Sequence, residues 1–153
     1  MALNIGDEAP DFELPNQNNE KVKLSDFRGE KGVALVFVPF AFTGVCQGEF
    51  CELRDNISDF EAAGVQVLGI SCDRAFTLKA WSDQEGFNFP LLSDGWPHGE
   101  VSTAYENFNA DLGCALRKTI VIDKEGKIVE MFESADLRTP RDKAAYDAAL
   151  AKL

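Results

Sequence analysis

A buried strand that passes directly into a helix is the feature that most constrains the fold of this chain. Residues 33–38 form a continuous apolar run, which indicates a buried strand, and Pro39 ends it. Beyond the proline, apolar residues recur at helical spacing, at Phe50, Leu53, Ile57 and Phe60. Gly64 predicts the end of that helix. A strand, a short turn and a helix therefore follow one another in the first half of the chain.

Cys46 lies where this strand gives way to the helix, within the first turn of the helix. Free backbone N–H groups and the positive end of the helix dipole favour an anion at such a position. A thiolate is an anion, so the position can convert a weak nucleophile into a strong one at neutral pH. Taken alone, the position leaves open a second interpretation, a buried structural cysteine, which is common in protein cores.

The remaining pattern alternates strands with helices and then adds a late hairpin, which predicts a mixed sheet with helices on both faces. Further strands are predicted at 65–71, 91–93, 119–122 and 127–132, with a turn at 124–126. Helices are predicted at 75–85, at 100–105 and from an N-cap at Thr139, with Pro140 first in the helix, to the C-terminus. In the 75–85 helix, Phe76, Ala80 and Trp81 are expected on one side. We expect one domain over residues 1–153.

The charge balance and the N-terminal residues exclude several classes of protein. A net charge of −11 and a pI near 4.5 argue against a nucleic-acid surface or an anionic membrane as partner. Residues 1–8 have neither a basic start nor a long apolar core, and no apolar run approaches the length of a membrane span. The expectation is a cytoplasmic protein whose four cysteines are thiols at rest.

The segment 39–46 resembles the active-site signature of the peroxiredoxins, in which Pro39, Thr43 and Cys46 match the family pattern. The resemblance extends over most of the chain, at 9–14, 22–29, 89–94 and 117–123. Residues 96–99, read with 42–49, are most similar to the AhpE-type branch. This resemblance implies an α/β, thioredoxin-like fold: a mixed β-sheet with helices on both faces and an N-terminal β-hairpin.

The resemblance also implies a function and its residues. The family reduces hydrogen peroxide, organic hydroperoxides or peroxynitrite by oxidising a peroxidatic cysteine, here Cys46, to sulfenic acid. The Thr43 hydroxyl would bond the substrate oxygen and help hold the thiolate, Pro39 would screen the sulfur from water, and Arg117 would stabilise the thiolate. The N–H groups of Val45 and Cys46 are candidates to bind the leaving oxygen. No metal or organic cofactor is implied. Arg54 is a weaker candidate that could instead pair with a surface carboxylate.

Cys51 complicates the assignment to a branch. AhpE-type proteins are usually one-Cys, whereas the PrxQ or bacterioferritin-comigratory branch often places a resolving cysteine five residues after the nucleophile, the spacing of Cys46 and Cys51. On a regular helix this spacing separates the two Cα atoms by about 8.7 Å, whereas a disulfide needs less than about 7 Å. Resolution by Cys51 therefore requires the first turns of the helix to unwind. The alternative is a cysteine at the solvent edge with no role.

The two remaining cysteines, the single histidine and the partners of the protein carry weaker expectations. Cys72 is expected to be buried and inert, Cys114 is a second candidate for resolution, and His98 is expected to be structural. The reductant would be a thioredoxin-like, mycoredoxin-like or low-molecular-weight thiol, and the resemblance implies a homodimer that pairs around the active site. The alternatives are a non-peroxidase thiol–disulfide oxidoreductase, weakened because no Cys-x-x-Cys is present, and a redox-sensing or metal-binding module, whose spacings match no common zinc pattern.

Overall fold

This computed structural model describes residues 2–134 and 136–153. Within them lie nine strands and five α-helices. The strands are β1 (Glu13–Pro15), β2 (Lys21–Lys23), β3 (Gly32–Phe37), β4 (Val65–Ser71), β5 (Leu91–Ser93), β6 (Phe108–Asn109), β7 (Cys114–Ala115), β8 (Lys118–Ile122) and β9 (Ile128–Glu133). The helices are α1 (Gly44–Asp55), α2 (Ile57–Ala62), α3 (Ala75–Glu85), α4 (Glu100–Ala104) and α5 (Lys143–Leu150), with a short 3-10 helix at Leu24–Phe27. None of the described helices is both long and apolar enough to cross a membrane.

The central sheet is mixed and has the strand order β5-β4-β3-β8-β9. The first three of these strands are parallel to one another, and β8 runs antiparallel to both β3 and β9. β1 and β2 form the expected antiparallel hairpin near the N-terminus, and β6 pairs with β7 in a second small sheet. The thioredoxin-like architecture predicted from the sequence is therefore confirmed.

The strand β3 is buried along its whole length because the sheet is covered on both faces. Leu35 and Phe37 belong to one core, which also contains Val101 of α4. Ala34 and Val36 point to the opposite face and belong to the other core, packed against α1, α3 and α5. The carboxyl end of this rigid strand leads into residues 39–43 and then into α1, which fixes the start of that helix in space.

Three details of the helices differ from the sequence prediction. The helix expected to continue to Gly64 is interrupted at Asn56, whose side chain donates to the Glu52 carbonyl at 2.8 Å and so competes with the helical backbone pattern. The last helix begins at Lys143, not at Pro140, because the Asp142 carboxylate caps it by accepting from the Ala144 N–H at 3.0 Å.

The orientation predicted for α3 was also wrong in part. Trp81 is fully buried as expected, but Phe76 is 84% exposed and Ala80 is exposed. The buried face is instead formed by Ala75, Leu78, Trp81 and Ser82. The bounds of α3 and its end at Gly86, which adopts a left-handed conformation with φ 64°, agree with the prediction.

Candidate active site

Cys46 occupies the third position of α1 and is completely buried. Thr43, in an extended conformation with φ −102° and ψ 149°, is the N-cap, and its side chain does not cap the helix. The first N–H groups of a helix have no intrahelical partner. The sulfur of Cys46 therefore lies beside a helix N-terminus whose polar groups are free to meet an anion, as the sequence predicted.

Arg117 is the residue that contacts the Cys46 sulfur. Its Nη2 donates to Sγ at 3.1 Å, and its guanidinium is nearly inaccessible to solvent. Its Nε donates to the Leu137 carbonyl at 2.8 Å, which fixes the plane of the guanidinium. A buried cation that donates to sulfur stabilises the thiolate over the thiol. The structure thus brings together the two residues that the sequence pattern singled out 71 positions apart.

Glu49 and Arg141 complete this group of ions, and the sequence analysis missed both. Glu49 lies one turn after Cys46 on α1 and accepts from Arg117 at 2.7 Å and from the side chain of Arg141 at 2.9 Å. It also accepts from the backbone N–H of Arg141 at 2.8 Å. Burial alone would raise the pKa of Glu49, but the hydrogen bonds and positive charges of Arg141 and Arg117 outweigh burial, and the net pKa is lowered. We call Cys46, Glu49, Arg117 and Arg141 the arginine cluster.

Arg141 joins this cluster to the central sheet. Its side chain is fully buried, and its Nη1 donates to the carbonyls of Phe37 in β3 and Lys118 at the start of β8, at 2.7 and 2.8 Å. The cluster therefore ties the first turns of α1 to the two central strands. A buried carboxylate and two buried guanidinium groups are tolerated because each of them is paired and hydrogen-bonded.

Pro39 and Thr43 are placed on either side of a tight turn before α1. Pro39 is buried, and its expected role in screening the sulfur from water stays a prediction. Thr43 is exposed, and its hydroxyl donates to the Phe40 carbonyl at 2.7 Å. A hydroxyl that donates in this way keeps lone pairs free to accept a further hydrogen bond. The contact expected between Thr43 and the thiolate is not among its hydrogen bonds.

An aromatic cluster holds the other side of α1. Phe50 stacks on Trp81 with ring centroids 5.1 Å apart and makes edge contacts with Phe87 and Phe89. The indole N–H of Trp81 donates to Gln47 at 3.2 Å, directly after Cys46. These contacts fix the rotation of α1 about its axis, which directs Cys46 and Glu49 toward Arg117.

Cys51 lies on the same uninterrupted helix as Cys46, and both are free thiols, as expected for the reduced protein. Cys51 is half-buried, and its thiol donates to the Glu85 carboxylate at 3.6 Å. Burial raises the pKa of Cys51; the charge of Arg54 lowers it, and Glu85 raises it again, for a net increase. Arg54 itself pairs with Asp55 at 3.0 Å, so the structure favours the surface pairing over a role beside Cys46.

The two other cysteines, Cys72 and Cys114, and the histidine, His98, are not members of the arginine cluster. Cys72 is half-buried, not fully buried as expected, and burial raises its pKa to about 11. Cys114 is fully buried, and burial followed by the negative charge of Cys46 raises its pKa. High thiol pKa values disfavour attack by either residue. His98 packs edge-on against Trp96 with ring centroids 4.6 Å apart, in keeping with a structural role.

The fold and the site together define a peroxiredoxin, an enzyme that reduces peroxides through a cysteine thiol. The chain belongs to the AhpC/TSA family, which matches residues 5–131. It is 48% identical over 151 residues to alkyl hydroperoxide reductase E of Mycobacterium tuberculosis, covering 99% of this chain and 98% of the relative. The AhpE-type resemblance inferred from the sequence is therefore confirmed.

More distant relatives support the same family. Peroxiredoxin Bcp of Escherichia coli is 38% identical over 141 residues, which covers 86% of each chain. The crystal structure of peroxidoxin BcpB from Mycobacterium tuberculosis is similar with a TM-score of 0.85 and 32% identity, over 97% of this chain and 94% of that one. A reduced 2-Cys peroxiredoxin from Plasmodium vivax gives a TM-score of 0.84 at 30% identity, over 95% and 78% of the two chains.

Proposed function

We propose that Cys46 is the peroxidatic residue and that Arg117 holds it as a thiolate. The sulfur attacks one oxygen of the peroxide; an S–O bond forms, the O–O bond breaks, and the other oxygen leaves with the electron pair. From hydrogen peroxide or an organic hydroperoxide, that oxygen takes up a proton and departs as water or an alcohol; from peroxynitrite, the leaving group is nitrite. Cys46 becomes a sulfenic acid. The observation that carries this proposal is the 3.1 Å contact between the Arg117 guanidinium and the buried sulfur.

The donors around the sulfur are suited to a peroxide. The N–H groups of Val45 and Cys46, at the start of α1, can bind the leaving oxygen as its negative charge develops. Thr43 supplies the free lone pairs that would accept the proton of a hydroperoxide. We infer a substrate range of hydrogen peroxide, organic hydroperoxides and peroxynitrite. The relative of 48% identity is an alkyl hydroperoxide reductase by name, and the part-exposed rings of Phe40 and Phe42 precede Cys46 closely; both favour organic hydroperoxides within that range.

Removal of Arg117 tests this assignment. Arg117→Ala should slow oxidation of Cys46 by about a hundredfold, because a preorganised donor to the developing charge is lost, and should also slow alkylation of Cys46. The matched control is Arg54→Ala, an arginine on the same helix as Cys46 that pairs with Asp55. Stopped-flow measurement of peroxide oxidation and alkylation across pH gives both quantities. An unchanged rate of Cys46 alkylation in Arg117→Ala would rule out the proposed role of Arg117 in stabilising the thiolate.

We further propose that Cys51 resolves the sulfenic acid, with an external thiol as the alternative. The Cys51 sulfur would attack the Cys46 sulfur, forming a disulfide and releasing water. The second half of α1 is fastened to the end of α3 by Cys51 and Arg54, which both bond Glu85, and by the Phe50 ring cluster. Gly48 has no neighbouring atom within 4 Å of an added Cβ and weakens the helix by about 1 kcal/mol relative to alanine. The first turn is held to other segments by the Cys46–Arg117 and Gln47–Trp81 hydrogen bonds, which resolution would have to break. We propose that this turn unwinds and that Cys46 is the residue that moves.

One equivalent of peroxide should distinguish the two routes. Cys46 and Cys51 share the tryptic peptide 32–54, so an internal disulfide should appear as the loss of two hydrogens from that peptide. In Cys51→Ser, the sulfenic acid should accumulate and be captured by dimedone, whereas Cys72→Ser should behave as the wild type. If the wild type also stops at a stable sulfenic acid, Cys51 is a bystander and a thioredoxin-like, mycoredoxin-like or low-molecular-weight thiol must act directly.

We also propose a homodimer that pairs around the active site, in a reducing compartment, the cytoplasm. Phe76 and Trp96, which are 84% and 64% exposed, border one cleft together with Arg74 and offer the apolar surface that an interface would cover.

Light scattering should therefore give about twice the chain mass of 16.8 kDa. Phe76→Asp should give the monomer mass, because a carboxylate cannot be buried in an apolar interface without a partner. Leu112→Asp, at an exposed leucine in the β6–β7 turn, is the control and should stay dimeric. A monomer mass for the wild type at every concentration would rule the dimer out.

A further inference from the structure

The turn between β3 and α1, residues 39–43, adopts a conformation that its own residues disfavour. Phe42 has a φ of 62°, in the left-handed region, although it carries a bulky side chain. A residue in such a conformation persists only where the surrounding structure holds it there. The contacts that hold this turn therefore decide where Thr43 and the start of α1 lie.

Asp73 supplies the contact that reaches the turn from outside. Its Oδ2 accepts from the backbone N–H of Ala41 at 2.8 Å, and Ala41 is only 9% exposed. Among the residues that the structure describes, this is the one hydrogen bond that joins residues 40–42 to another part of the chain. The segment that follows β4 thus anchors, through Asp73, the turn that precedes Cys46.

Three atoms of Asp73 form hydrogen bonds with serines of the central sheet. The Ser71 hydroxyl, at the end of β4, donates to the same Oδ2 at 2.8 Å and accepts from the Asp73 N–H at 3.2 Å. The carbonyl of Asp73 accepts from the Ser93 hydroxyl of β5 at 2.6 Å. Ser71 at the end of β4 thus holds the carboxylate, and Ser93 of β5 holds the backbone of the same residue, so Asp73 can serve as a rigid reference for the turn.

We propose that Asp73 is a positioning residue for peroxide reduction, acting through the turn that carries Thr43. The Asp73 carboxylate fixes Ala41, the preceding carbonyl of Phe40 receives the Thr43 hydroxyl at 2.7 Å, and the Thr43 hydroxyl is thereby oriented. The inference rests on the proposed function, because it concerns the groups that would bind the peroxide oxygens. Arg117 is held from elsewhere, by Glu49 and the Leu137 carbonyl, and Glu49 and Phe50 hold α1 independently of the turn, so the contact of Arg117 with the Cys46 sulfur does not depend on Asp73.

This separation gives a test that a purely structural role would fail. In a Cys51→Ser background, Cys46 is the single thiol of peptide 32–54, so its reactions can be followed individually. Asp73→Ala should lower the rate of oxidation by peroxide by about tenfold to a hundredfold, the effect of misplaced binding groups. Its rate of alkylation by iodoacetamide, which needs only the thiolate, should stay within about twofold of the parent, with the same pH profile.

Two further variants complete the experiment. Asp73→Asn keeps an oxygen that can accept from the Ala41 N–H and should restore most of the peroxide rate. Asp123→Ala removes an aspartate that accepts two backbone N–H groups in the β8–β9 turn, at the opposite edge of the sheet, and should leave both rates unchanged. Should Asp73→Ala fail to fold, Ser71→Ala loosens the same carboxylate and should show the same selective loss to a smaller degree.

The proposal is overturned if Asp73→Ala slows peroxide oxidation and alkylation equally, if it slows neither, or if Asp73→Asn is as slow as Asp73→Ala. A failure of the proposed function is distinct from all three outcomes, because the Cys51→Ser parent would then form no sulfenic acid on Cys46 at all.

Discussion

Cys46→Ser should abolish peroxide consumption and leave the fold intact. A serine hydroxyl is not ionised at neutral pH, even beside the Arg117 guanidinium that lies 3.1 Å from the sulfur, so no nucleophile remains to attack the O–O bond. Serine is close to cysteine in volume, and Arg117 keeps its ion pair with Glu49, so the arginine cluster should survive the exchange. Peroxide consumption with dithiothreitol as reductant measures the activity, and thermal melting followed by circular dichroism measures the fold.

The control is the same chemical change at Cys72, whose pKa of about 11 keeps it protonated at neutral pH. Cys72→Ser should retain the full rate. Near-wild-type activity in Cys46→Ser would show that another thiol is the nucleophile, and a large loss in Cys72→Ser would point to that residue.

Glu49→Gln should destabilise the protein by about 3–5 kcal/mol at pH 7, because it neutralises a buried carboxylate that pairs with two buried arginines. The carboxylate is the shared counter-charge of Arg117 and Arg141, whose side chains are 4% and 0% exposed. Without this carboxylate, both buried guanidinium groups lose the anion with which they pair. The free energy of unfolding in urea measures the effect.

The difference between Glu49→Gln and wild type should depend on pH. The pKa of Glu49 is lowered in the folded protein, so its stabilising contribution is complete above the unfolded pKa of about 4.3 and is lost as the pH falls through the lower, folded value. The difference in the free energy of unfolding between wild type and Glu49→Gln should therefore be constant from pH 7 to about 5 and should decrease below about pH 4.

Glu52→Gln is the matched control, since Glu52 is an exposed carboxylate three residues further along the same helix. It should change the free energy of unfolding by less than about 0.5 kcal/mol at any pH. A Glu49→Gln variant within about 1 kcal/mol of wild type at pH 7 would show that the two arginines do not depend on this carboxylate.

The sequence predicted those parts of the site that are local or that follow from a strong pattern. The apolar run at 33–38 and the position of Cys46 determine one strand, one helix start and the candidate nucleophile. The stretch 65–71 is apolar enough that its strand bounds agree with the structure residue for residue. Arg117 was found because it directly precedes another apolar strand and matches the family pattern.

The parts that the sequence did not predict depend on contacts between distant segments. Glu49 and Arg141 are 92 positions apart, and a glutamate next to Phe50 carries no local sign that a buried arginine will meet it. The apolar spacing from Phe50 to Phe60 continues across Asn56, so the interruption of the helix leaves no trace in the hydrophobic pattern. The sequence also predicts the wrong orientation for Phe76 of α3. The spacing of its aromatic residues does not decide which side of the helix meets the sheet.

The sharing of Arg117 between Cys46 and Glu49 links the charge of the sulfur to the stability of α1. Both residues lie on the first half of that helix, three positions apart, and both accept hydrogen bonds from the same guanidinium. The helix is thus bound to Arg117 at two points, and one of the two is the sulfur that we propose as the nucleophile.

In the proposed mechanism, conversion of the Cys46 thiolate to a sulfenic acid would remove the negative charge at one of these two points. The attraction between Arg117 and the first turn of α1 would then weaken at the step for which we propose that this turn opens. If Cys51 resolves the sulfenic acid, oxidation of Cys46 would therefore favour the change of conformation that the next step requires.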